Sequence, residues 1–129
     1  MKNNIIISCL LIFFSSCSGS IKQKDLYGRW NYVKVVNADP EEITSDEEIK
    51  QTSPAIIFTE TNDLIIEWGG KQLSKGKYKI DGKMIRYTES LGGGRIREFP
   101  FLISKLTATE LSFQTMEKNY TKVTAIRVK

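Results

Sequence analysis

The sequence predicts an all-β fold: an eight-stranded antiparallel up-and-down barrel, with a short helical segment in its first long loop. Three observations carry this expectation. From Arg29 onward, short stretches alternate apolar and polar residues with the period of a half-buried strand. Turn signals separate them at short spacing: Thr61-Asn62-Asp63, Gly69-Gly70, Asp81-Gly82 and Gly92-Gly93-Gly94. No stretch offers a credible crossover helix, so each strand pairs with its neighbour in sequence. A meander of this kind removes its exposed edges by closing on itself.

Leu26-Tyr27-Gly28-Arg29-Trp30 opens the first strand, expected from about Arg29 to Val36. Lys24 to Gly28 reads as one helical turn ended by the glycine. Asn37 to Thr52 lacks strand alternation and is strongly acidic. Asp39-Pro40-Glu41-Glu42 has an N-cap, a proline at the first helical position and acids in the first turn, and Ser45-Asp46-Glu47-Glu48 repeats the capping-box pattern. One or two helical turns are expected there, anchored only by Ile43 and Ile49.

The remaining strands are expected at Ala55–Thr59, Leu64–Trp68, Gln72–Ile80, Lys83–Glu89, Arg95–Lys105, Leu111–Thr115 and Tyr120–Val128. Asp81-Gly82 suits a type I′ hairpin turn. Leu91 to Gly94 reads as a flexible connection. Arg97, Phe99, Phe101 and Ile103 share one face, and Pro100 among them points to an edge or a bulge.

Ahead of the barrel, Lys2 is followed by an almost unbroken apolar run, Ile5 to Phe14, and then by small residues. Ten residues are about half of what a membrane-spanning helix needs, so residues 1–16 read as an export signal. Phe14-Ser15-Ser16-Cys17 resembles the lipobox of bacterial lipoproteins, with Phe in place of the usual Leu. The resemblance implies that Cys17 is lipidated and that residues 17–25 tether a domain spanning 26–129 to a membrane. The plainer alternative is an ordinary signal peptide in which Cys17 has no role.

Cys9 leaves with the signal and Cys17 takes the lipid, so the mature domain has no thiol for a disulfide or a metal. The chain has no histidine. That removes the commonest general base and zinc ligand, and with them Ser-His-Asp and Cys-His catalysis. Neither a cofactor nor a metal is expected, and the protein reads as a non-enzyme.

Charge is uneven. Residues 25–67 carry ten acids against Arg29, Lys34 and Lys50, whereas residues 71–129 carry thirteen bases against five acids. Two readings stand: a solvated barrel exterior, or a basic face for anionic headgroups or an acidic partner. No nucleic-acid motif is present.

Gly28-x-Trp30 on the first strand, the long first loop and the meander of seven further strands resemble the lipocalins, and more closely the short lipocalin-like lipoproteins of Bacteroidota-type bacteria. The likeness covers about Leu26 to Lys129. It implies that Trp30 closes the narrow end of the barrel, beside Gly28, and that Arg127 from the last strand packs over it as a cation–π pair. Alternation alone leaves the facing of Arg127 open, because Tyr120, Ile126 and Val128 form the more apolar face.

Trp68, Tyr78, Tyr87, Phe99 and Phe101 are candidate ligand or mouth contacts, with ordinary packing as the bland reading of each. Gly92-Gly93-Gly94 lacks the Lys-Ser/Thr of a phosphate loop, and the acids from Glu41 to Glu48 lack the spacing of a Ca²⁺ loop. Nothing in the sequence brings Glu67 and Glu89 together.

Two functions follow. One is a monomeric cell-envelope lipoprotein, lipid-anchored in the outer membrane, whose barrel holds a small apolar ligand. The other is an interaction module with a filled barrel, for example a hydrolase inhibitor, docking an envelope protein through its loops.

Overall fold

The computed structural model describes residues 21–129 apart from Pro40. The export signal, Cys17 and the helical position expected of Pro40 lie outside the described residues.

A single turn of helix, α1 (Gln23–Leu26), precedes β1 (Gly28–Asn37). A second short helix, α2 (Asp46–Thr52), lies in the first long loop. Seven strands follow: β2 (Ala55–Phe58), β3 (Asp63–Trp68), β4 (Lys71–Asp81), β5 (Met84–Gly92), β6 (Arg95–Leu106), β7 (Glu110–Thr115) and β8 (Thr121–Arg127). Each pairs antiparallel with the next, and β8 returns to β1, giving a closed eight-stranded barrel. The expected fold class is the one found, helical segment included.

Closing a sheet on itself requires strong coiling. Register shifts between Tyr32 and Lys34, Ile66 and Glu67, Ser90 and Gly92, and Ile103 and Lys105 supply it, since an extra residue bends its strand and increases the local twist.

The turns differ from expectation in detail. Asp81 pairs with Met84, so the central residues are Gly82 and Lys83, and only Gly82 has positive φ, at 62°. Positive φ at the first position alone belongs to type II′ rather than the expected I′. The connection after β5 is tight rather than loose: Gly92 pairs with Arg95, and both central residues, Gly93 and Gly94, have positive φ. Pro100 sits at a local edge, because β7 reaches only to Thr115, opposite Phe101.

The barrel is filled through its middle and its closed end. Tyr32, Phe101 and Phe113 pack edge to face, as do Phe58 and Tyr78, with ring centroids 5.2–6.0 Å apart. Such offset contacts suit the ring quadrupoles. Ile49 of α2 is buried, but Ile43 is 80% exposed and anchors nothing. The tether expected up to Asp25 is shorter on the described side. Ile21 packs on the core and its N–H donates to the Gly82 carbonyl at 3.0 Å, and Leu26 is fully buried.

Candidate functional site

At the closed end, Gly28, Trp30 and Arg127 come together. Trp30 is fully buried, and its indole Nε1–H donates to the Leu26 carbonyl at 2.9 Å. Register places Arg127 directly opposite Trp30. Its guanidinium carbon lies 4.2 Å from the centre of the indole ring. The guanidinium donates to three carbonyls, those of Ala108, Tyr27 and Asp25. This answers the question that alternation left open: Ile126 and Val128 are exposed, and Arg127 turns inward at the last residue of β8. Gly28 has φ of 117°, and a Cβ there would meet Arg127 Nη1 at 3.4 Å. Position 28 therefore favours glycine on backbone conformation, with close packing beside it.

Tyr78 belongs to this half of the barrel and is not a mouth residue. Its backbone N–H donates to the Asn62 carbonyl, and its hydroxyl meets the Thr59 carbonyl at 3.3 Å, both at the β2–β3 turn. Phe101 is buried in mid-barrel between Tyr87, Phe99 and Phe113.

At the open end the lining changes character. Trp68 and Phe99 pack on the core but are only partly buried. Trp68 meets Tyr32 edge-on at 6.4 Å. Next to them lies a polar group assembled by the β5–β6 register, which sets Glu89 opposite Arg97 and Tyr87 opposite Phe99. The Ser74 hydroxyl is 2.6 Å from the Tyr87 hydroxyl and donates to Glu89 Oε2. Arg97 Nη2 stands 2.8 Å from Glu89 Oε1. The pair is close enough for charge compensation but misaligned for a hydrogen bond, so the buried Oε1 has no donor aimed at it. The Arg97 guanidinium in turn lies over the Phe99 ring, 5.4 Å from its centre. Burial pushes the Tyr87 hydroxyl pKa up, and the Glu89 carboxylate adds to this against the opposing Ser74 bond and Arg97 charge. Tyr32, buried deeper, is pushed up by burial alone. Both tyrosines stay neutral at physiological pH.

Sequence reasoning missed Ser74 and did not pair Glu89 with Arg97. Counting outward from the Gly93-Gly94 turn sets Glu89 opposite Glu98; the extra residue between Ser90 and Gly92 shifts the register and brings Arg97 opposite instead. Glu67, the other acid considered, faces outward and pairs with Arg29 at 2.7 Å.

Among the described residues, no group of three His, Cys, Asp or Glu side chains is placed to hold a metal. The open end offers aromatic surface, a guanidinium held by an acid and an aromatic ring, and hydroxyls.

No family model matches the chain, and no curated protein does. Among solved structures, it is similar to a complex of bovine odorant-binding protein with a selenium-containing odorant, at 20% identity and a TM-score of 0.46, over 84% of this chain and 74% of that one. It is also similar to odorant-binding protein from bovine nasal mucosa, at 19% identity and a TM-score of 0.47, over 84% and 75% of the two chains.

Proposed function

We propose that this protein is a monomeric, non-enzymatic lipoprotein of the bacterial outer membrane, anchored through Cys17, whose barrel takes a small apolar ligand at its open end. The observation that carries the ligand reading is the pair of inward-facing aromatics, Trp68 and Phe99, left partly uncovered above the buried aromatics of the core. The ligand seat is shallow, because Tyr87, Phe101 and Phe113 fill the barrel beneath it. The export signal and Cys17 support the anchor.

A neutral apolar dye such as N-phenylnaphthylamine tests this. The wild type should enhance its emission saturably. Phe99→Ala should weaken the binding roughly tenfold, as loss of about 1.5 kcal/mol of apolar burial implies. An outward change such as Ile126→Ala should leave it unchanged. Absence of saturable binding by the wild type would overturn the ligand reading.

A second reading, a protein-docking module, draws on the rim. Val36, Ile43, Leu91, Met116 and Tyr120 are all exposed apolar residues in the loops and strand ends around the open end. A cluster of this kind marks an interaction site more often than chance exposure does.

A further inference from the structure

Charge is divided between two sides of the barrel. Residues 25–67, which build β1 to β3 and the α2 loop, carry ten acids against three bases. Residues 71–106, which build β4 to β6, carry nine bases against three acids. Of those three, Glu89 is turned inward beside Arg97 and Asp81 is paired with Arg86 at 2.8 Å, which leaves Glu98 as the exposed acid outside an ion pair among the described residues. Lys75, Lys77 and Lys79 recur along β4 with the strand period, all exposed. Lys77 is engaged by Asp63 at 2.6 Å, whereas Lys75 and Lys79 make no ion pair among the described residues. Lys79 lies directly opposite Arg86 on β5, an arrangement of like charges that costs stability in a free sheet.

Apolar residues stand among these charges. A groove of 510 Å³ on the outside of the barrel is lined by Leu73, Lys75, Lys77, Thr88, Ser90 and Ile96, among others. Leu73 is 67% exposed and Ile96 64% exposed. Leu73 faces outward in alternation with the buried Ser74 and Tyr78, and the β4 bulge leaves Gln72 exposed beside it. The N-terminal segment also leaves the barrel from this side, where Ile21 bonds to Gly82 in the β4–β5 turn. Cys17 stands four positions before Ile21.

We propose that the outer face of β4, β5 and β6 docks side-on against an anionic lipid bilayer, with the lysines among the headgroups and Leu73 and Ile96 at the edge of the acyl region. The charge complementarity and the apolar pair carry the docking itself. Only the point about tether length rests on the lipid anchor of the preceding reading. Each lysine near an anionic surface strengthens association roughly fivefold, and salt screens the effect within a Debye length. The acidic side is repelled by the same surface, so the barrel lies one way up, with the α2 loop away from the headgroups.

The test uses the full protein carrying Ile96→Trp, with the wild type as background for Trp30 and Trp68. It is mixed with vesicles whose acyl chains are brominated, made either of phosphatidylcholine alone or with phosphatidylglycerol added. Emission from position 96 should be quenched on the anionic vesicles only. High salt, or Lys75→Glu with Lys79→Glu, should abolish the quenching. Leu73→Trp should behave like Ile96→Trp, and Lys34→Trp on β1 should show no quenching. Equal quenching on both vesicle types, or quenching indifferent to the two lysines, overturns the proposal. So does absence of quenching together with tight binding of polyglutamate, which would assign the face to an acidic protein. Retention on phosphatidylcholine at high salt reads the anchor alone. Loss of that retention with the quenching intact overturns the lipoprotein reading and leaves this one standing.

Discussion

Trp30 and Arg127 close one end of the barrel by two different kinds of interaction, and substitutions should separate them. Trp30 contributes buried area, a hydrogen bond to Leu26 and a surface for the guanidinium. Its truncation to alanine should cost about 3–5 kcal/mol, as for other buried aromatics. Arg127 contributes a cation–π contact and three bonds to carbonyls of the α1 and β6–β7 connections. Arg127→Ala should cost less, roughly 1–2 kcal/mol. Arg127→Lys should recover little of it, because an ammonium has no planar fork to reach all three acceptors. Urea midpoints for the three variants check the order. A Trp30→Ala midpoint equal to that of the wild type would mean that Trp30 does not close the barrel.

Among the elements, α2 is held most lightly. Ser45 caps it through Oγ, which accepts from the Glu48 N–H at 3.1 Å. Ser53 ends it in the left-handed conformation with its N–H on the Ile49 carbonyl at 2.8 Å. Ile49 is the one residue of the helix that is buried. Caps and one apolar contact give local structure with little tertiary support. Amides from Glu41 to Ser45 should therefore exchange fast and those of β1 and β2 slowly. Ser45→Ala should raise exchange through α2 by about tenfold, matching the roughly 1 kcal/mol of a lost cap. Deleting Glu41 to Glu48 should leave the thermal midpoint nearly unchanged while altering dye binding at the open end. Strong protection across the whole loop would rule out a mobile cover.

For the molecule as a whole, the proposed reading brings in the membrane through Cys17 and the basic side together. Cys17→Ser should abolish incorporation of labelled fatty acid and move the protein out of the membrane fraction at high salt. A wild type that takes up no label, with a variant that stays membrane-bound, would refute the anchor. Among the described residues no helix is long and apolar enough to cross a bilayer.

Strand number, strand order and the position of α2 were legible in the sequence because they depend on local physics. Period-two alternation, Gly-Gly turns and the Ser45 cap act over a few residues and need no knowledge of distant partners. The candidate site was legible only in part. Gly28 and Trp30 stood out as a motif, but inward and outward could not be assigned to Arg127, since Tyr120, Ile126 and Val128 look the more apolar face although Val123 and Ala125, in alternation with Arg127, are the buried one. The group of Ser74, Tyr87, Glu89 and Arg97 draws on three strands and exists only once their registers are set. The outer groove joins Leu73 of β4 to Ile96 of β6 across β5 and forms only once those registers are set. Alternation already put Arg97 on the face of Phe99 and Phe101, but a one-residue shift changes which side chains stand opposite one another, so the tertiary pairing decided which polar residues meet inside the barrel.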